Sequence, residues 1–577
     1  VNNEGTVSIV LSGEAGRGLK TIEAVLVRAL KLSGLHVFAT EEYMSRVRGG
    51  NNTVSMVVSS NGNRAFLSRI DILVPLNKNA LYRLTERMDE HTAIVGSRES
   101  VEAEYRDTYR FLESPFEDMA RQVGDSVYAN SVAAGMVAGI LGIGTDPLKA
   151  VVADVFKAKG HQTVAKNQQA VALGYEHGRH LAGEMDLSAH LDPDERVKDQ
   201  VVLNGAQAVS LGAIAGGCNF IASYPMSPST GVLAFLAQHA SDFGIVCEQA
   251  EDEIGAINMG LGASYAGARA MVTTSGGGFA LMVEGLSLAG MTETPIVIHL
   301  AQRPGPATGL PTRTEQADLL FALRAGHGEF PRIILTPGTL EDAFGLTCRA
   351  FNLAERFQVP VFVLTDQYLM DTYYNLVGLH LREARPEKAY VETAADYRRY
   401  MLTDTGISPR GIPGHGEGLV MVDSDEHDEY GRITEDMDTR EQMVEKRLKK
   451  TDRSCEAAIE PEFVGNESFK TLVVGWGSTY YPIKQALQGL RRDEVAFLHL
   501  KQVFPFHSGV ARYLEKAEQV LTIENNATAQ LGALLLQETG RRPDGAILKY
   551  DGLPFSVEEL QYSLGEIGRE SLTASAE

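Results

Sequence analysis

Between residues 219 and 365, short apolar runs recur at 220–223, 245–247, 270–273, 296–300, 332–336 and 359–365, with helix-like stretches between them. A strand that returns to its own sheet through a helix runs parallel to its predecessor, so this alternation confines the region to a mostly parallel α/β sheet. The pattern extends to both flanks. Upstream are runs at 6–11, 35–40, 53–59 and 71–75 with a helix over 19–32; downstream are runs at 471–475, 496–500 and 519–524. At 577 residues the chain exceeds what one core supports. It reads as α/β throughout, in three α/β domains with mostly parallel sheets, over 1–190, 201–388 and 467–577. A polar linker around Pro193 and an irregular acidic connector over 389–466 separate them, and residues 109–184 read as largely helical.

Open α/β sheets bind ligands beyond the carboxyl ends of their strands, and there the central region carries its unusual residues. After the first run comes Tyr224-Pro225-Met226-Ser227-Pro228-Ser229-Thr230. After the second, Glu251-Asp252-Glu253 opens a helix rich in glycine and alanine. The third leads into Thr273-Thr274-Ser275-Gly276-Gly277-Gly278, and the fourth into Gln302-Arg303-Pro304-Gly305-Pro306-Ala307-Thr308-Gly309-Leu310-Pro311-Thr312. Each glycine weakens a helix by about 1 kcal/mol relative to alanine, so four at 255, 260, 262 and 267 point to close backbone approach by a helix, a cofactor or a second subunit. Glu253 suits acid–base work, although spacing alone assigns the acidic cluster equally well to capping the helix. Arg303, beside Thr308 and Thr312 on a proline-stiffened loop, suits a small carboxylate; a structural salt bridge is the alternative.

Composition narrows the function. A formal charge of −22 disfavours a nucleic-acid surface. No run of about 20 apolar residues is free of turn formers, so a membrane span is not expected. The start Val1-Asn2-Asn3-Glu4 lacks the features of a signal peptide. Cys218, Cys247, Cys348 and Cys455 lie far apart, which fits a reducing cytoplasm and excludes a self-contained iron–sulfur or zinc-ribbon site.

Four other places merit a functional reading beside a plain one. Ser12-Gly13-Glu14-Ala15-Gly16-Arg17-Gly18, between a strand and a helix, can cradle a phosphate or simply make a tight turn. The loop Ser45-Arg46-Val47-Arg48-Gly49-Gly50 can meet an anion or remain solvated. His177, His180 and Glu184 share a helix face, usually an exposed polar stripe rather than a metal site. Asp423-Ser424-Asp425-Glu426-His427-Asp428-Glu429 can coordinate a cation, or serve as a charged surface loop.

The segment 224–230 resembles the Tyr-Pro-Ile-Thr-Pro-Ser motif of the 2-oxoacid:ferredoxin oxidoreductases, and 251–267, 273–278 and 303–318 are similar to that family's next signatures. The first 190 residues resemble its gamma domain, 201–388 its thiamine pyrimidine-binding domain, and the tail from Lys470 its transketolase-C-like domain. Nearly the whole chain is covered, in the gamma–alpha fused arrangement of 2-oxoglutarate-type alpha subunits. Ser227 stands where the family has threonine and Met226 where it has isoleucine; the hydroxyl is retained.

The resemblance implies coenzyme-A-acylating oxidative decarboxylation of a 2-oxo acid, or its reverse, on thiamine diphosphate. Under it, Glu253 is the catalytic residue that hydrogen-bonds the cofactor's aminopyrimidine ring, while Tyr224, Pro225, Met226, Ser227 and Pro228 line the cofactor. Arg303, Thr308, Thr312, Ser227 and the gamma-domain residues Ser45 and Arg48 take the substrate. No metal ligand is assigned to this chain: Mg²⁺ and a [4Fe–4S] cluster are expected on a separate beta subunit, in a dimer of alpha–beta heterodimers that passes electrons to ferredoxin. Pyruvate, indolepyruvate or a branched-chain 2-oxo acid is the alternative substrate. A non-catalytic nucleotide-binding assembly subunit, built on 12–18, is the alternative of another class.

Overall fold

Short parallel strands joined by helices dominate the computed structural model, which describes residues 5–14, 18–44, 50–78, 80–185, 190–381, 385–387 and 389–567. Ser45 and Arg48 lie outside the described residues. The chain divides into two units: one built up to Leu203 with Thr372–Gly378 and Phe555–Leu564, the other on Asn204–Asp371 and Leu379–Pro554.

The first unit holds an eight-stranded sheet in the order Arg110–Glu113, Ala93–Gly96, Ile72–Pro75, Thr6–Glu14, Asn51–Ser59, His36–Glu42, Thr372–Leu376, Val201–Asn204. Its first four strands run parallel. The pairings from Thr6–Glu14 through Asn51–Ser59 and His36–Glu42 to Thr372–Leu376 are antiparallel, so this sheet is mixed. The reason is local: only eight residues separate His36–Glu42 from Asn51–Ser59, too few for the crossover that a parallel return needs. Four of its strands, Ala93–Gly96, Arg110–Glu113, Val201–Asn204 and Thr372–Leu376, were not expected from the sequence.

Helices Ala129–Ile140 and His161–Ala182 cross backbone to backbone in this unit. A Cβ on Gly135 or Gly139 would strike the carbonyls of Val171 and Tyr175, and one on Gly174 or Gly178 those of Val132 and Met136. On the second helix, His177 Nε2 lies 3.1 Å from both Ser114 Oγ and Glu113 O, while His180 meets Glu184 at the surface. Among the described residues no three His, Cys, Asp or Glu side chains gather to hold a metal.

The second unit contains a seven-stranded sheet, Gln502–Phe504, Ile333–Leu335, Pro360–Asp366, Ile296–Gln302, Ala270–Thr274, Phe220–Ser223, Val246–Gln249, parallel except for Gln502–Phe504. A five-stranded sheet follows, Glu462–Val464, Val495–Leu500, Thr471–Trp476, Gln519–Glu524, Gly545–Leu548, parallel except for Glu462–Val464. One apolar core, including Ile298, Phe362, Trp476, Leu498 and Val503, runs through both. The acidic run 423–429 is tied down: Glu426 pairs with Arg440 and Arg447 of the helix Met437–Glu456, and buried His427 lies against the Tyr400 ring at 3.9 Å. Among the described residues no helix is long and apolar enough to cross a membrane.

Candidate active site

Val246–Gln249, Phe220–Ser223, Ala270–Thr274 and Ile296–Gln302 are consecutive parallel neighbours in the seven-stranded sheet, so the loops that follow them leave one edge together. All four motifs singled out in the sequence are therefore gathered at one place.

Glu253 is the first residue of the helix Glu253–Tyr265. The capping role left open by the sequence falls to its neighbour: the Asp252 carboxylate accepts from Gly255 N at 2.7 Å. Glu253 is thereby released from capping, yet it is only 3 % exposed, and its Oε1 is buried without a hydrogen-bond partner. It rests against the next helix, Gly276–Met291. A side chain on Gly278 would overlap both Glu253 Oε1 and Thr274 Oγ1, so glycine is needed there for close approach. A buried oxygen left unsatisfied costs about 1–3 kcal/mol, more when charged, and a polar ligand donating to it removes that cost.

Two further unpartnered buried atoms border the same helix start, Ser275 Oγ and Asp318 Oδ2. Asp318 lies against Gly276, where a Cβ would collide with its carboxylate. Burial pushes its pKa up to about 6, Glu315 adds to the rise and Arg303 opposes it. The sequence reading did not single out Asp318, because nothing in its spacing separates it from a surface acid. Beneath, His299 is buried between Thr273 Oγ1 (2.7 Å) and Thr365 Oγ1 (2.9 Å), and burial lowers its pKa to about 3, so it is a neutral bridge between strands.

The turn after Phe220–Ser223 is held by Ser223 Oγ donating to Thr273 O at 2.7 Å and Ser229 Oγ to Met226 O at 2.7 Å, with Ser227–Pro228 a cis peptide. Tyr224 and Ser227 are exposed, Pro225 and Met226 half-buried, and Pro228 buried. Arg303 reaches this turn: its Nη1 donates to Ser227 O at 2.8 Å. The guanidinium's other N–H groups have no partner among the described residues. Its loop closes on itself through Leu310 N to Pro304 O at 3.1 Å, with Thr308 exposed and Thr312 half-exposed.

In the first unit, the strand Thr6–Glu14 runs further than expected and takes in Ser12, Gly13 and Glu14. Ser12 Oγ donates to Ala80 O and Glu14 N to Asn77 Oδ1. Residues 12–14 of the expected phosphate turn are therefore strand; residues 15–17 lie outside the described residues.

Comparison with known proteins adds to this geometry. A family model described as pyruvate flavodoxin/ferredoxin oxidoreductase, thiamine diphosphate-binding, matches residues 211–446, and one described as pyruvate ferredoxin/flavodoxin oxidoreductase matches 8–177. The chain is 30% identical to the 2-oxoacid:ferredoxin oxidoreductase subunit alpha of a Sulfolobus species, over 97% of this chain and 96% of that one. It is 38% identical to the 2-oxoglutarate synthase subunit KorA of Archaeoglobus fulgidus over 56% of this chain and 88% of the relative. Among solved structures, the 2-oxoglutarate:ferredoxin oxidoreductase from Magnetococcus marinus, with 2-oxoglutarate, coenzyme A and succinyl-CoA bound, superposes with a TM-score of 0.90 at 30% identity, covering 98% of this chain and 99% of that one.

Proposed function

Because this chain belongs to the alpha subunits of the 2-oxoacid:ferredoxin oxidoreductases, we propose that it builds the pyrimidine side of a thiamine diphosphate site that acts on 2-oxoglutarate. It is one subunit of an oxidoreductase with ferredoxin as acceptor. The observation that carries the site assignment is the Glu253 carboxylate, buried with an open oxygen across from the glycine that makes room for it. A ring bearing an N–H fits this arrangement: the glycine lets the carboxylate sit buried, and the N–H satisfies its open oxygen.

Thiamine diphosphate supplies, when bound, an electron sink for decarboxylating the 2-oxo acid. Glu253 accepts a hydrogen bond from the ring and holds a proton at the ring nitrogen. Tyr224, Pro225, Met226, Ser227 and Pro228 wall the ring and the substrate. Arg303, steadied by the Ser227 carbonyl, presents its remaining N–H groups to the substrate carboxylate, with the Thr308 and Thr312 hydroxyls as further donors. Ser45 and Arg48, outside the described residues, are the further substrate-side residues that the resemblance implies.

A beta subunit carries Mg²⁺ and the [4Fe–4S] cluster, coenzyme A is the co-substrate, and the assembly is a cytoplasmic dimer of alpha–beta heterodimers. The four cysteines, unpaired thiols with Cys218 and Cys348 buried, fit this division of labour. The deciding experiment reconstitutes the chain with its beta subunit and compares kcat/KM for 2-oxoglutarate, pyruvate, indolepyruvate and a branched-chain 2-oxo acid. The highest value is expected for 2-oxoglutarate, and the chain alone, given thiamine diphosphate and Mg²⁺, should not turn over. A higher value for pyruvate would refute the substrate assignment; turnover by the single chain would refute the shared site.

A further inference from the structure

The loop that carries Arg303 continues past Thr312 into a segment bound to the carboxyl edge of the five-stranded sheet. Thr314 N donates to Gly552 O at 3.1 Å, and Gln316 N to Asn525 O at 2.6 Å. Gln530 Nε2 donates to Ala317 O at 2.7 Å and receives Leu320 N on its Oε1 at 2.9 Å. Asn525 and Asn526 directly follow the strand Gln519–Glu524, so this is the edge where a sheet of this kind would ordinarily hold a ligand of its own.

Gln316 occupies that place. It is fully buried. Its Oε1 accepts from Asn525 N at 3.1 Å, its Nε2 donates to Trp476 O at 3.1 Å and faces Asp366 Oδ2 at 3.4 Å, and its own carbonyl accepts from Asn526 Nδ2 at 3.2 Å. Gly477, in the left-handed region at φ 57°, makes room for the amide: a Cβ there would sit 2.8 Å from Nε2. The side chain thus satisfies strand-end groups of one sheet while belonging to a loop of the other.

The Arg303 loop is consequently fixed at both ends. At its start, buried Gln302 donates to Thr365 O at 3.1 Å and accepts from Asp318 N at 2.9 Å; at its end, Gln316 is locked into the second sheet. We propose that Gln316 is a positioning residue for substrate binding, through which the C-terminal sheet holds the Arg303 loop in its receptive conformation. The inference rests on the reading of Arg303 as the substrate's carboxylate ligand. A loop freed at one end must be ordered again whenever substrate binds, and the cost falls on the step that uses Arg303 and the loop hydroxyls. Loss of the Gln316 side chain therefore weakens binding of the 2-oxo acid more than it slows the chemistry.

The test uses the assembled enzyme with its beta subunit. Gln316→Ala is expected to raise KM for the 2-oxo acid about tenfold while kcat changes by less than about threefold, with the affinity for thiamine diphosphate unaltered. General destabilisation would do the reverse, lowering the active fraction and leaving KM alone. Asn526→Ala, which removes the bonds from its amide to the Gln316 carbonyl and to Glu524 and those its Oδ1 accepts from Thr528 N and Gln530 N but leaves the Gln316 side chain in place, is expected to raise KM in the same sense by a smaller factor, and it decides the matter if Gln316→Ala does not fold. Wild-type KM in every folded variant of the two would overturn the proposal. Arg303→Lys in the same assay separates the two layers. A KM raised by Arg303→Lys alone overturns the Gln316 role and leaves the carboxylate reading intact; a KM raised by Gln316→Ala but not by Arg303→Lys overturns the carboxylate reading and leaves Gln316 positioning another group of the loop.

Discussion

Glu253 and Glu293 are both buried glutamates, one opening a helix and the other in the turn that follows the neighbouring helix, yet their surroundings are opposite. Glu253 opens its helix, is 3 % exposed and keeps an oxygen without a partner. Glu293 follows the end of the helix Gly276–Met291, is 1 % exposed and has both oxygens bound to Lys446 Nζ, at 2.7 and 2.8 Å, with Lys450 on one of them as well. Arg399 donates to the carbonyls of Thr292 and Glu293 beside it. Burial alone would raise the pKa of Glu293; Lys450, Lys446 and Arg399 together reverse that and hold its carboxyl below the usual range. A buried charge that serves the fold is saturated by its own chain. A buried carboxylate with an open oxygen makes the free protein less stable than it could be, and that is the mark of a group kept for a ligand.

The comparison can be broken at either end. The largest effect is expected at Glu253: Glu253→Gln should lower kcat by about 10²–10⁴-fold while leaving the melting temperature unchanged or higher, because an amide is less costly to bury than a carboxylate. Steady-state kinetics beside calorimetry reads both, and a kcat within about threefold of wild type would remove the distinction. Glu293→Gln should do the opposite. It leaves two buried lysines without their carboxylate, so a loss of about 3–5 kcal/mol in denaturant unfolding is expected, with kcat per folded molecule unchanged. A loss below about 1 kcal/mol would mean that Glu293 does not serve as a structural counter-ion.

Asp318 sharpens the contrast with a smaller effect. Burial raises its folded pKa from the ordinary 3.8 to about 6, so the folded chain binds this proton more tightly than the unfolded one. Its contribution is complete below about pH 4 and is lost as pH rises through about 6. Relative to Asp318→Asn, the wild type should lose about 2–3 kcal/mol of stability between pH 4 and 7. Parallel pH–stability curves for the two proteins would show that Asp318 is not held in this buried state.

Local rules reached far into this fold. The helix Leu19–Leu32 and the strands Phe220–Ser223 and Gln519–Glu524 have the bounds read from periodicity. What escaped was non-local. Thr372–Leu376 has no clear apolar run of its own and becomes a strand by pairing with His36–Glu42, where Asn375 Oδ1 accepts from Val37 N, 338 residues away in sequence. Arg110–Glu113, charged at both ends, was absorbed into a stretch read as helical, and its partner Ala93–Gly96 is too short to announce itself. At the site, the motifs named Glu253, Arg303 and the 224–228 turn, whereas Gln316 and Asp318 carried no spacing signal.

The sequence by itself determined that the chain is α/β, that four loops at strand ends carry its unusual residues, and which family those loops resemble. Alternation, glycine and proline act within a few residues, so their consequences can be read along the chain. Only the tertiary structure decided that Asp252 caps the helix and leaves Glu253 open, that Glu293 is saturated by lysines from a distant helix, and that Gln316 fills the edge of another sheet. Whether a polar group is satisfied depends on the neighbours that folding brings to it, and these come from segments far apart in the chain.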